Sequence, residues 1–260
     1  MVILIAESKT MLSAEKDFTT AEVSQGTPCF EDIASEIMES LRQLNTAELA
    51  SQLKLSGTLA AKMQKMVYEF PYKSTGNKAI EAYTGVVFKA LDYTTLPQEA
   101  KKLCDAQVRI VSSLYGWLHP QDIIKPYRMD FTTKLDEGPS EGKALNAFWK
   151  MHATKALVKM LNECGETEII NLLPTDAAKC FDWKLVKRFA KVWKVDFQEI
   201  REREIMKTPS AERLKMLRGS LLKQILEEGI RKASDLLHTA SDKYVCEGTP
   251  VYPDHFRFLC

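Results

Sequence analysis

The sequence predicts a mixed α/β fold, α+β in its details. It reads as one compact domain over residues 1–260, built around a mixed sheet with a small helical insertion at about 45–68. Three observations carry this. Short, almost wholly apolar runs such as "VILIA" (2–6) and "EIINLL" (168–173) have the length and composition of strands buried on both faces. Longer runs with apolar residues every three or four positions lie between them. Both kinds interleave along the chain, with no Gly/Ser-rich linker, repeat or low-complexity tract to divide it.

Taken in order, "VILIA" is a strand for the centre of the sheet, and it exits into Glu7-Ser8-Lys9-Thr10. In open α/β sheets ligands bind at that carboxyl end, although a plain strand-to-loop turn has the same look. Residues 30–44 place Ile33, Ile37, Leu41 and Leu44 on one helical face. In 45–67, Thr46 and Glu48 start a short helix, Ser56-Gly57 interrupts it, and Leu59, Met63 and Met66 resume the stripe. That is a helix-hairpin-helix pattern. Residues 82–91 and 106–114 contain strand-like runs. Residues 143–163 form an amphipathic helix in which His152 is a core-edge residue rather than a ligand. The run 190–201 alternates with period two, as a half-exposed strand does. Residues 209–228 make a helix with Pro209 near its first turn, and "KYVCE" and "HFRFL" close the chain as strands.

The net charge of +1 favours no class of partner, but its distribution is uneven. Residues 1–50 carry three basic and nine acidic side chains, a net of −6; residues 179–218 carry twelve and six, a net of +6. Such asymmetry permits a positive face or two ordinary solvated faces. The six cysteines are scattered, with no Cys-x-x-Cys and no nearby histidine pair. A metal site or disulfide framework therefore has no support, and no cofactor is expected. Free thiols, the absence of a signal-peptide pattern at "MVILIAESKT" and the absence of a long apolar run argue for a cytoplasmic protein without a membrane span.

One stretch fits no period. "SSLYGWLHPQDIIKPYRMDF" (112–131) concentrates tyrosine, glycine, proline, aspartate and arginine in one connection. This stretch, with "MVILIAESKTM", "AYTGVVF", "FW" at 148–149, "INL" at 170–172 and "KMLRG" at 215–219, resembles in content and order the YaaA family of bacterial peroxide-stress proteins. The first block departs from the family's usual Ser-Pro-Ala-Lys-Thr, reading Ala6-Glu7-Ser8-Lys9-Thr10, and His119 stands where an arginine is usual. The resemblance implies a mixed α/β body with a cleft and a helix-hairpin-helix. It also implies a role in protecting DNA and managing iron under hydrogen peroxide.

Two chemistries are open to these residues. A hairpin turn at Leu55–Thr58 can grip double-stranded DNA: Gly57 permits a positive-φ turn, Ser56 and Thr58 add hydroxyls, and Lys54, Lys62 and Lys65 are close by. The same segment can also be an αα-hairpin that only packs. Separately, Lys9, Thr10, Tyr115, Asp122, Tyr127, Arg128, Lys215 and Arg218 can line one polar cleft for a small anion, with Lys9, Tyr115, Asp122 and Arg128 as catalytic candidates. Alternatively, the 112–131 stretch is a rigid loop pinned by an Asp–Arg pair. The expected function is sequence-independent DNA binding in the peroxide response. The alternative is an enzyme acting on a phosphate- or carboxylate-bearing small molecule.

Overall fold

The computed structural model describes residues 1–12, 26–71, 76–200, 206–247 and 254–260. β1 (Val2–Ala6) is the apolar run at the amino end, and it lies inside the sheet as its composition requires. It pairs in parallel with β3 (Val108–Ser112) on one side and with β6 (Glu168–Asn171) on the other, so that Leu4 stands between Arg109 and Asn171. β7 (Lys191–Ile200) and β10 (His255–Leu259) extend the parallel set beyond β6. Two short antiparallel strands close the edges: β4 (Gly116–Leu118) on β3 and β9 (Val245–Cys246) on β10. A third, β8 (Met206–Lys207), pairs with the outer end of β7. A separate two-stranded ladder joins β2 (Asn77–Lys78) to β5 (Ile123–Ile124). Arg201, the last residue of the run expected as a strand over 190–201, lies outside the described residues.

Numbered by their place in the chain, the five parallel strands run 2-1-3-4-5 across the sheet. The connections after β1 and β6 therefore leave in opposite directions, which opens a crevice at the carboxyl ends of those two strands.

α1 (Glu31–Arg42) buries Ala34, Ile37, Met38 and Leu41 on the expected face. α2 (Thr46–Leu53) starts at a capping box in which Asn45 accepts from Ala47 and Glu48 while Glu48 accepts from Asn45. α3 (Gly57–Glu69) follows after three residues. α4 (Ala79–Ala82), α5 (Val86–Leu91) and α6 (Gln98–Gln107) lead to β3. α7 (Leu145–Cys164) spans the expected long helix and stops at Gly165, whose φ is 66°. α8 (Thr175–Ala178) and α9 (Trp183–Val186) join β6 to β7, and α10 (Ala211–Glu227) precedes the last strands.

One expected element changes type. Residues 82–91 read as strand-like, yet they hold the end of α4 and the whole of α5. Val86 and Val87 are β-branched, which suggested a strand; the buried residues Phe88 and Leu91 are instead three apart, on one helical face. Tertiary packing settles the matter. A Cβ on Gly219 of α10 would collide with the carbonyl oxygen of Val87, so the two helix backbones cross in close contact.

Candidate functional site

The crevice predicted by the strand order is a cavity of about 450 Å³. Its floor is the exit of β1, Ile5 to Thr10, and its far side is Leu172, Pro174 and Asp176 after β6. The start of α5 (Gly85–Val87) and the segment Met129–Phe131 make the walls, and Lys215 and Arg218 of α10 reach in from above. Glycines permit this closeness. A side chain on Gly85 would collide with Ser8, so α5 can begin directly against the β1 exit. The glycine-mediated crossing at Gly219 brings Lys215 and Arg218, one turn or less away, over the same place.

The cations differ in their state. Lys9 is ion-paired with Asp130, and the Arg128 guanidinium donates from Nη1 to the Lys9 carbonyl at 2.6 Å. Burial alone would raise the Asp130 carboxyl, but the Lys9 and Thr132 hydrogen bonds outweigh it and hold the pKa below the usual value. Arg218 is half-buried, and burial pushes its pKa down from the ordinary guanidinium range. Among the described residues neither it nor Lys215 has a hydrogen-bond or ion-pair partner. Asp196 acts on Arg218 only through space, and a desolvated cation without a directly bonded counter-ion is costly, so this corner of the cavity suits an anion.

Glu7 on the floor is the residue that sequence reasoning passed over. Glu7 is half-buried and lines the cavity, with protein packed closely around its carboxyl group. Burial raises its pKa from 4.5 to about 7, against the lowering effect of the Ser113 side chain, the Tyr127 hydroxyl, the Ser113 N–H and the Ser112 side chain. Two hydrogen bonds land on one oxygen: Oε2 accepts from the Ser113 N–H at 2.9 Å and from the Tyr127 hydroxyl.

Counting donors fixes the direction of this network. Ser112 Oγ accepts from the N–H groups of Leu114 (3.2 Å) and Tyr115 (2.9 Å), so its own proton goes to Tyr127, 2.7 Å away. Tyr127 has one proton and gives it to Glu7 Oε2, so across its 2.7 Å contact with Tyr83 the Tyr83 hydroxyl donates. Both lone pairs of Tyr127 are then filled. Glu7 Oε2 is a double acceptor, and the proton of neutral Glu7 resides on Oε1. Burial beside Glu7 raises the pKa of both tyrosines, so they stay protonated.

The expected cleft is therefore assembled in part. Lys9, Thr10, Lys215 and Arg218 line the cavity. Tyr127 lies beneath it, holding Glu7, and Arg128 pins the β1 exit from behind. Tyr115 and Asp122 do not belong to it. Asp122 accepts from the His119 N–H at 2.8 Å and closes the turn 119–122; it pairs with neither Arg128 nor a tyrosine. The Tyr115 hydroxyl accepts from the Lys125 N–H at 3.2 Å. The polar 112–131 stretch thus does two jobs: its first half satisfies its own backbone, and Pro126-Tyr127-Arg128 builds the cavity floor.

The hairpin also differs from expectation at its turn. The positive φ falls on Lys54 (53°), not on Gly57, which is the first residue of α3. A Cβ at Gly57 would meet nothing within 4 Å. Ser56, Gly57 and Thr58 are exposed, and Ser56 caps the helix without a side-chain hydrogen bond. Lys54 and Lys62 are exposed, whereas Lys65 pairs with Glu69 at 3.8 Å. Met63 of α3 meets the Arg128 N–H at 3.2 Å, so the hairpin packs against the segment that lines the cavity.

All six cysteines are free, and no helix among the described residues is long and apolar enough to cross a membrane. No group of three or more metal-ligating side chains occurs among the described residues.

The fold and site define an α/β protein with a cationic, acid-floored cavity at the switch point of its sheet. The family described as "Peroxide stress protein YaaA" matches residues 1–249, and the chain belongs to that family. A UPF0246 protein of Parabacteroides distasonis is 34% identical over 236 residues, covering 88% of each chain. A UPF0246 protein of Albidiferax ferrireducens is 29% identical over 264 residues, covering 99% of this chain and 97% of its own.

Proposed function

We propose that this member of the peroxide-stress family is a cytoplasmic protein that binds double-stranded DNA without sequence preference. In this reading the helix-hairpin-helix formed by α2 and α3 grips duplex phosphates, and the cationic cleft lies on the same body. The observation that carries the reading is the open amino terminus of α3. Ser56, Gly57 and Thr58 at this end are exposed, the Ser56 side chain makes no capping hydrogen bond, Gly57 leaves room for a close approach, and Lys54 and Lys62 are unpaired among the described residues. Such contacts position a backbone and read no bases. The buried contact between Met63 and Arg128 fixes the hairpin to the body that carries the cleft.

The test is a salt titration of duplex binding. Each lost phosphate contact flattens the plot of log affinity against log salt by roughly 0.9. Changing Lys54 and Lys62 together to Gln is expected to lower the slope by about two and to weaken all duplexes alike. Lys65, held by Glu69, contributes less. An unchanged slope would reduce the hairpin to a packing element.

A second reading, an enzyme acting on a phosphate- or carboxylate-bearing small molecule, is favoured by one observation. Arg218 is a half-buried cation without a hydrogen-bond or ion-pair partner among the described residues, and it shares a cavity with a half-buried carboxylic acid. Lys9, Thr10 and Lys215 remain in the site under this reading; Tyr115 and Asp122 drop out of it.

A further inference from the structure

We infer that the switch-point cavity binds a small nucleotide-sized organic anion, with its charged end on Arg218 and Lys215 and an acceptor atom at its other end taking a hydrogen bond from Glu7 Oε1. The inference rests on the small-molecule reading and deepens it by naming the ligand class and the group that meets it.

Three features of the cavity converge on that chemistry. First, its volume of about 450 Å³ falls within the range of sites that enclose a metabolite. Second, its ends are chemically opposite. Arg218 and Lys215 offer positive charge with no hydrogen-bond or ion-pair partner among the described residues, Asp196 acting on Arg218 only through space. Glu7 on the floor offers one oxygen, because Oε2 is filled by Ser113 and Tyr127. Third, what lies between is apolar: Val86 and Val87 on one side, Met129 and Phe131 on another, Leu172 and Pro174 opposite. A ligand that satisfies all three has flat apolar faces, an acceptor on one edge and an anionic group at the far end. A nucleoside monophosphate is such a molecule, and inorganic phosphate is not.

The donor count makes Glu7 more than a wall residue. In its neutral form it presents an O–H on Oε1, and in its ionised form it presents two acceptors. The groups that surround it set which form prevails. Tyr83 and Tyr127, both protonated, and the Cys180 thiol, whose pKa burial also raises, add no charge. Around the rim Lys9 is neutralised by Asp130, Asp176 pairs with Lys179, and Arg218 and Lys215 make no direct ion pair among the described residues, Asp196 acting on Arg218 through space. Burial dominates, and neutral Glu7 persists to about pH 7. Binding through the Oε1 proton is therefore stronger below that pH than above it.

The test is calorimetric titration of the full chain with AMP, GMP, CMP and UMP, and with inorganic phosphate, at about pH 6 and about pH 8. The parent is compared with Glu7→Gln, whose amide keeps a donor toward the cavity at every pH, and with Arg218→Gln. A ligand phosphate gains charge over this interval, which would tighten binding to cations as pH rises. That effect is common to parent and Glu7→Gln, so their ratio isolates Glu7. At least one nucleotide is expected to bind, and the parent's affinity relative to Glu7→Gln should fall about tenfold from the lower pH to the higher. Arg218→Gln should weaken binding at both. Nucleotide binding with a constant ratio would overturn the role of Glu7 and leave the small-molecule reading standing. If no nucleotide and no phosphate binds at millimolar concentration, both fall. Binding of a 5′-phosphorylated duplex in the cavity, with none of any free nucleotide, would overturn the small-molecule assignment.

Discussion

At the scale of residues, Glu7 combines a structural cost with a chemical use. A carboxyl whose pKa is raised by burial holds its proton in the folded state after the unfolded chain has lost it. The stability it contributes is therefore full below about pH 4.5 and is lost as pH rises through about 7. Glu7→Gln has no proton to lose. Its carbonyl oxygen can accept from Ser113 and Tyr127, and its NH₂ replaces the Oε1 proton. Urea unfolding should find the two proteins similar near the lower pH and the variant more stable above pH 8. The gain should be about 1–3 kcal/mol, the larger figure holding for a carboxyl wholly shielded from water. A parallel pH response of parent and variant would mean that Glu7 is solvated and ionised throughout. Glu7 was hard to see in the sequence for a physical reason. A lone carboxylate after a strand looks like any solvated turn, and what makes it special is Tyr127, 120 positions away. The one available signal is that Glu7 departs from the Ser-Pro-Ala-Lys-Thr block that this stretch resembles.

At the scale of elements, strands proved more legible than turns. Val2–Ala6 and Glu168–Asn171 were readable because a strand buried on both faces must be apolar throughout, and they do pair side by side. The helix α5 was not, because its β-branched start points to a strand and only its packing on α10 decides otherwise. The hairpin was legible as two helices, but its turn was assigned to the wrong residue: Lys54 takes the left-handed conformation and Gly57 is helical. This changes what a substitution should do. A glycine in helical conformation with open space at its Cβ position gains from a methyl group, because the unfolded chain loses freedom. Gly57→Ala is expected to stabilise the protein by about 0.5–1 kcal/mol in thermal or urea unfolding. If duplex phosphates approach α3 closely, the same variant should bind DNA less tightly, so stability and binding move in opposite directions. Gains in both would remove Gly57 from the interface.

At the scale of the whole molecule, the strand order 2-1-3-4-5 does what composition could not foretell: it decides where a ligand can sit. Lys9, Thr10, Lys215 and Arg218 stand out in the sequence by their chemistry, and the topology brings them together. Asp122 stands out the same way, but local backbone needs claim it. Two candidate sites remain, hairpin and cavity, and the hairpin is anchored to the body where Met63 meets Arg128. Hydrogen exchange can separate them, because it reads local opening segment by segment. Without ligand, amides of β1, β3 and β6 should exchange slowest, being internal to the sheet, and the first amides of α3 fastest among the helices, having no intrahelical acceptor. A short duplex should slow exchange at 54–59, and a bound nucleotide at 5–10 and 85–87. If the duplex instead protects only 5–10 and 85–87, the cationic cavity rather than the hairpin is the DNA site, and the open end of α3 serves only to join two packed helices.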